Sequence, residues 1–231
     1  MNTDTNAAKP PVSIPASPAW ADIRAGVARL CQDFPNAYWM TLDAEDRYPQ
    51  AFVTALTDAG YLAALIPEEF GGAGLPLSAA GAILETIHAE GCNAAACHAQ
   101  MYTMATVLKH GTSAQKTQYL PKIADGSLRL QAFGVTEPTT GSDTTQLKTR
   151  AEATAAGSYR INGQKVWTSR AMESDLMLLL ARTAPAGAKR SDGLSVFLLD
   201  MQASKGRGLT LKKIPAMINH NSCEVFFDDL E

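Results

Sequence analysis

Long apolar runs are missing from this 231-residue chain. Stretches such as Leu176 to Ala181 fall far short of the ~20 residues that a membrane-spanning helix needs, so no membrane segment is expected. Basic clusters are missing too. There are 20 Lys and Arg against 23 Asp and Glu, and the formal net charge is −3. With no stretch that gathers the cations, nucleic acid is not an expected partner. Cysteine is sparse: Cys31, Cys92, Cys97 and Cys223 are scattered through a chain too long to need covalent staples. This usage fits reduced thiols and predicts a cytoplasmic protein. Cys92, Cys97 and His98 lie close together but lack the paired Cys-x-x-Cys spacing of a zinc site. They are read as a small buried helix face, and no metal is expected.

What is present is an ordinary globular balance, 46% apolar and 19% charged, enough for a real core. The length suits one large domain or two small ones. Residues 1–17 carry Pro10, Pro11 and Pro15 among Asn, Thr and Ser, and read as a disordered tail. They have no apolar signal core, and Asp4 argues against a transit peptide.

From Pro18 to Phe34, apolar Trp20, Ile23, Val27, Leu30 and Phe34 recur at helical steps. Pro49 opens a second predicted helix with Phe52 and Leu56, which Gly60 stops. The glycines of Pro67-Glu-Glu-Phe-Gly-Gly-Ala-Gly74 make a tight loop, with Glu68 and Glu69 solvated or capping. Ser78 is the predicted cap of a third helix. A fourth runs from Ala96 to Leu108 and ends at Gly111. Thr112-Ser-Ala-Gln115 is a capping-box pattern for a fifth, which Pro121 and Gly126 end.

After Gly126 the period switches from helical to alternating. Strands are predicted at 130–135, 149–154, 159–161, 164–168, 176–182, 194–200, 209–214 and 224–227. Asn162-Gly163 between two of them is a hairpin signal. Segregated blocks predict an α+β chain. An all-α domain over 18–128 is followed by an antiparallel β-barrel or sandwich domain over 129–231.

The chemistry gathers at Phe133-Gly-Val-Thr-Glu-Pro-Thr-Thr-Gly-Ser-Asp143. A half-buried strand here runs into Pro138, which removes a ladder donor. The following Thr139, Thr140, Gly141, Ser142 and Asp143 are dense in hydroxyls and backbone N–H groups. Such a loop suits an anion such as a pyrophosphate. From the residues alone, the plainer reading, a strand that simply ends in a Thr/Ser-rich turn, comes first.

Two stretches resemble the signatures of the flavin-dependent acyl-CoA dehydrogenases. Val135, Thr136, Glu137, Gly141, Ser142 and Asp143 match Val-Thr-Glu-x-x-x-Gly-Ser-Asp. Asn162, Gly163, Lys165, Trp167, Thr168 and Ser169 match Asn-Gly-x-Lys-x-Trp and the hydroxyl residues after it. Further matches, among them Pro67–Gly72, Tyr119-Leu-Pro121 and Val225–Asp228, follow in the family's order. The resemblance implies FAD as cofactor and an acyl-CoA thioester as substrate. It also implies α,β-dehydrogenation to a 2-enoyl-CoA in fatty acid metabolism, an electron-transfer flavoprotein as partner, and a homo-oligomer.

By the same resemblance, the cofactor-binding residues are Phe133, Val135, Thr136, Gly141, Ser142, Trp167, Thr168 and Ser169. Val135 and Thr136 would meet the pyrimidine edge of the flavin. Ser142 beside Gly141 would meet the pyrophosphate and, secondarily, substrate. Trp167 would cover one ring face, and Ser169 would approach N5. Thr140, Gln146 and Arg170 depart from the usual pattern. Arg170 is read either as touching the acyl or CoA entrance or as a solvated surface charge. Glu137 should be held by its own loop. The family's catalytic carboxylate lies in a C-terminal helical bundle that the sequence after Phe-Phe-Asp228 does not supply. The chain is therefore expected to hold no catalytic base, to be incomplete alone, and to be a cut piece or completed by a second polypeptide. Two rival expectations are a flavin monooxygenase or nitroalkane oxidase of the same fold, and a non-catalytic binding or oligomerisation module.

Overall fold

The computed structural model describes residues 19–217 and 221–231, so the tail expected at 1–17 lies outside it. Six helices come first: α1 (Ala21–Cys31), α2 (Asn36–Ala44), α3 (Gln50–Asp58), α4 (Leu77–Ala89), α5 (Ala95–His110) and α6 (Ser113–Ala124). Their apolar faces bury Val27, Phe52, Leu56, Ile83 and Ile87 in one core. Phe34, Tyr38, Trp39 and Phe52 close its edge with edge-on ring contacts. The capping box of α6 is complete: Gln115 N donates to Thr112 Oγ1 at 3.2 Å, and Thr112 N donates to Gln115 Oε1 at 2.9 Å. Among the described residues, no helix is long and apolar enough to cross a membrane.

Three local expectations need correcting. Helix α2 was not expected. Ser78 does not cap α4, because Pro76 occupies that position in extended geometry with no side-chain bond. Pro121 does not end α6. The helix carries it through to Ala124, since burial of Leu120 and Ile123 outweighs one missing N–H donor.

The second half is a sheet of β1 (Leu130–Gly134), β2 (Arg150–Ala153), β3 (Tyr159–Ser169), β4 (Leu176–Arg182), β5 (Leu194–Asp200), β6 (Leu209–Lys213) and β7 (Ser222–Leu230). A single-turn helix, α7 (Met201–Ser204), joins β5 to β6. The helices-then-strands order is as expected, but the sheet is mixed, not purely antiparallel. Its order is β1-β4-β2-β3-β7-β6, with β5 on β4. β1 runs parallel to β4, with Phe133 opposite Leu178. Parallel neighbours need a crossover, and the β2–β3 hairpin lies within it. The chain re-enters where it left: Asp175 N and Leu176 N both donate to Arg129 O, at 2.8 and 3.1 Å.

The Asn162-Gly163 hairpin is also corrected. Both residues lie inside the continuous strand β3, and the turn falls at Thr154–Ser158, where Gly157 takes φ 83°. Asn162 Nδ2 instead donates to Asp229 Oδ1 at 2.9 Å. Gly163, at φ 148°, lies so close to β2's approach that a Cβ would stand 2.6 Å from Thr149 Oγ1.

Sheet and helices share a second core. Leu130, Leu176 and Leu178 interleave with Ile66, Met104, Val107 and Ile123. Thr103 Oγ1 donates to Leu130 O at 2.6 Å, and Tyr48 Oη donates to Gln131 Oε1 at 2.9 Å.

One buried ion pair fixes the chain leaving β1. Lys165 Nζ lies 3.0 Å from Glu137 Oε1 and also donates to Val135 O at 3.1 Å. Glu137 further accepts the N–H of Lys148 at 2.6 Å and of Thr149 at 2.9 Å. Desolvation works to raise the Glu137 carboxyl, but the hydrogen bonds from Thr149, Lys148 and Lys165 hold it below the usual range. Burial pulls Lys165 down, against the carboxylate beside it.

We expect Glu137→Gln to cost about 3–5 kcal/mol in urea unfolding, because it strands a buried ammonium. A loss under about 1 kcal/mol would mean that the pair is solvated. A carboxyl held low contributes stability above its unfolded value, near pH 4.3, and loses it as pH falls through the folded value. The wild type should therefore lose this part of its stability on acidification, and Glu137→Gln should not. Gly163→Ala should destabilise by about 1–3 kcal/mol, read from the same unfolding midpoints. An unchanged midpoint would mean that β2 gives way there.

Candidate functional site

Gly134 ends β1 where a Cβ would meet Met177 Sδ at 3.1 Å and both Leu179 and Lys165 carbons at 3.3 Å. A side chain there would need these neighbours to give by a few tenths of an ångström. Val135 and Thr136 follow, half-buried, and Thr136 O accepts the N–H of Val166 at 2.9 Å. This bond sets the first signature directly beside the second. Glu137 and Thr140 then exchange backbone bonds of 3.0 and 3.1 Å, making a tight turn. Asp143 caps the next short turn, accepting from Thr145 N at 3.2 Å and Gln146 Nε2 at 2.7 Å. These hydrogen bonds hold the Asp143 carboxyl below its usual range, those from Gln146 and Thr145 first. Thr140 is buried and bonds Gln146 O, so the two unusual residues of this loop brace each other. Gly141 and Ser142 remain exposed, and a Cβ at Gly141 would meet nothing within 4 Å.

On β3, the pairing with β7 shifts register between Lys165 and Thr168. Trp167 sits in that irregularity at φ 60°, and it is 60% exposed. A bulky residue at positive φ costs of order 1–3 kcal/mol, and such strain collects at functional sites. Presenting a large flat indole to the outside is the only evident return for it. Thr168 turns inward and is buried, with Oγ1 lacking any partner. Ser169 is half-buried, opposite Ser222. Phe133 is half-buried beneath the Tyr102 ring, centroids 6.1 Å apart.

The structure thus brings Val135, Thr136, Trp167 and Ser169 onto adjoining strand ends. Gly141 and Ser142 follow on the exposed loop. The residues present suit a flat ring carrying a polar tail: an outward indole beside open hydroxyls and N–H groups. Glu137, the carboxylate of the signature loop, is locked by its bonds and is not free to act as a base. Arg170 is not a solvated surface charge. Its side chain is 2% exposed, at φ 59°, with the guanidinium 5.6 Å from the Tyr48 ring centre. Nothing in the spacing announced that burial. The Lys165–Glu137 pairing was half-announced, since Lys165 falls in step with the inward residue Ile161 on an alternating strand.

Comparison with known proteins gives the family of both halves. Residues 17–127 match the model of the acyl-CoA dehydrogenase N-terminal domain, and residues 132–230 match that of its middle domain. Cyclohex-1-ene-1-carbonyl-CoA dehydrogenase of Syntrophus aciditrophicus (strain SB) is 33% identical over 194 residues, covering 82% of this chain and 45% of the relative. Butyryl-CoA dehydrogenase from Megasphaera elsdenii superposes with TM-score 0.76 at 25% identity, covering 90% of this chain and 56% of that one. PigA, solved as an FAD complex, shares the fold with TM-score 0.81 at 23% identity, over 93% and 56% of the two chains. The chain spans about half the length of the curated relatives it matches. From two domain models that together cover nearly all of it, the chain belongs to the acyl-CoA dehydrogenase family and carries that family's N-terminal and middle domains.

Proposed function

We propose that this chain forms the flavin-holding and substrate-facing part of an FAD-dependent acyl-CoA dehydrogenase. The observation that carries the reading is Trp167, held outward in a strained backbone beside the hydroxyl-rich loop. FAD, when bound, supplies the acceptor for a hydride leaving the β-carbon of an acyl-CoA thioester. Trp167 would flank its ring. Val135 and Thr136 offer backbone and hydroxyl groups to the edge of that ring, where donors stabilise developing negative charge. Gly141 and Ser142 offer N–H and hydroxyl groups to the pyrophosphate, and Ser142 also stands toward the substrate. Ser169 would approach the ring's reacting edge, and Phe133 backs the site from below. Thr168, turned inward, would support the ring site only by holding the strand between Trp167 and Ser169. By the family resemblance, the base that removes the acidic α-proton would come from outside these two domains, and Glu137, held by its bonds, does not supply it. An electron-transfer flavoprotein is the proposed electron acceptor, and a homo-oligomer the proposed working form.

Trp167→Ala and Ser142→Ala should each weaken FAD binding by about 1–3 kcal/mol, Ser142 through a hydrogen bond lost in the complex and Trp167 through lost ring contact. Quenching of flavin fluorescence on titration of FAD with protein reads this directly. Equal affinities for both variants and the wild type would overturn the assignment. Circular dichroism melts identify any variant that has simply lost its fold.

A further inference from the structure

The region around Arg170 holds more buried polarity than the fold needs. Arg170 follows the second signature, but its side chain turns away from solvent toward the helices. Its Nε and Nη1 are buried and have no acceptor. A guanidinium stays charged at any physiological pH, and a buried charge without a partner is expensive. The nearest candidate counter-charge, Glu173, acts on it only at a distance. Glu173 makes no ion pair with Arg170 among the described residues, and its Oε2 has no donor. Its Oε1 is taken by Asn221 Nδ2 at 2.8 Å. Desolvation raises the Glu173 carboxyl above its usual range and so favours its neutral form, against the lowering pull of Arg170.

Arg170 also lines a cavity of about 550 Å³ between the sheet and helices α2 and α4. That volume is in the range of small-molecule sites. Trp39, Met40, Leu42, Pro49 and Cys92 give it apolar walls. Its charged lining is Arg170 and Arg47 against Asp43, with His88 also present. A partly apolar, open pocket with a buried guanidinium that lacks a hydrogen-bond acceptor in its wall describes a ligand with a short hydrocarbon body and one anionic end.

We propose that this cavity is a subsite for an aliphatic carboxylate, with Arg170 as its charge partner and Trp39 against its hydrocarbon part. The carboxylate is either a free acid or the acidic end of a longer acyl group. The inference stands on Arg170 and the cavity, and only the acyl-group source rests on the proposed function.

Hexanoate titrated into the full chain, followed by tryptophan fluorescence and by thermal shift, tests it. Hexanoate should bind saturably and raise the melting temperature, and hexanamide should bind about tenfold or more weaker, as expected when a charge-assisted bond is lost. Arg170→Met should abolish the difference between acid and amide, and Arg170→Lys should keep part of it. A pantetheine thioester of a dicarboxylic acid separates the two sources. Binding at least tenfold tighter than hexanoate assigns the site to a substrate's acidic end, and equal or weaker binding assigns it to a free acid. Equal binding of hexanoate and hexanamide to the wild type, or binding of neither, would overturn the proposal. Both comparisons use the wild type, so they stand even if Arg170→Met fails to fold.

Discussion

The pairing of Lys165 with Glu137 is the constraint on which the rest of the site depends. It joins three pieces of chain that are distant in sequence: the exit of β1, the approach to β2 through the N–H groups of Lys148 and Thr149, and the middle of β3. In a low-dielectric interior every one of these bonds is stronger than it would be in water, and every missing one is costlier. The loop carrying Gly141 and Ser142 therefore has a fixed root. Trp167, two residues beyond Lys165, can be forced into an outward pose because the strand beneath it cannot slide.

The helical and sheet halves are not independent. Strand β1 packs Leu130 into a core that includes Met104 and Ile123, and its backbone is bonded from α5 through Thr103. Arg129 Nη1 reaches Thr57 Oγ1 at 3.0 Å, and Lys213 is paired with Asp46. Arg170, stacked near Tyr48, belongs to the same seam. The signature residues stand on strands whose other side is fastened to helices, which is how a surface site on a small sheet is kept rigid.

Much of this was legible in the chain. Helices α1, α3 and α5 announce themselves because their buried residues recur at helical steps. The limits of β4 and β5 match their apolar runs, since strands read as such runs when neighbours cover them. Helix α2 is illegible because Tyr38, Trp39, Met40 and Leu42 are bunched instead of periodic. Asn162-Gly163 misleads because a glycine in a strand marks close approach of another backbone as readily as a turn. The hydroxyl loop was visible as a motif. The positive φ of Trp167 and the burial of Arg170 were not, because both arise from contacts made by residues far along the chain.

The parallel seating of β1 against β4 has a consequence for the order in which the molecule can form. Leu130 and Leu176 are neighbours in space but widely separated along the chain. During synthesis the helical half emerges first, and the face carrying Met104, Val107 and Ile123 stays partly uncovered until β4 has been made. Non-local pairings of this kind slow folding and leave greasy surface exposed meanwhile. The nascent helices are the stage at which a chaperone would find something to hold, and completion of β4 is the event that would release it.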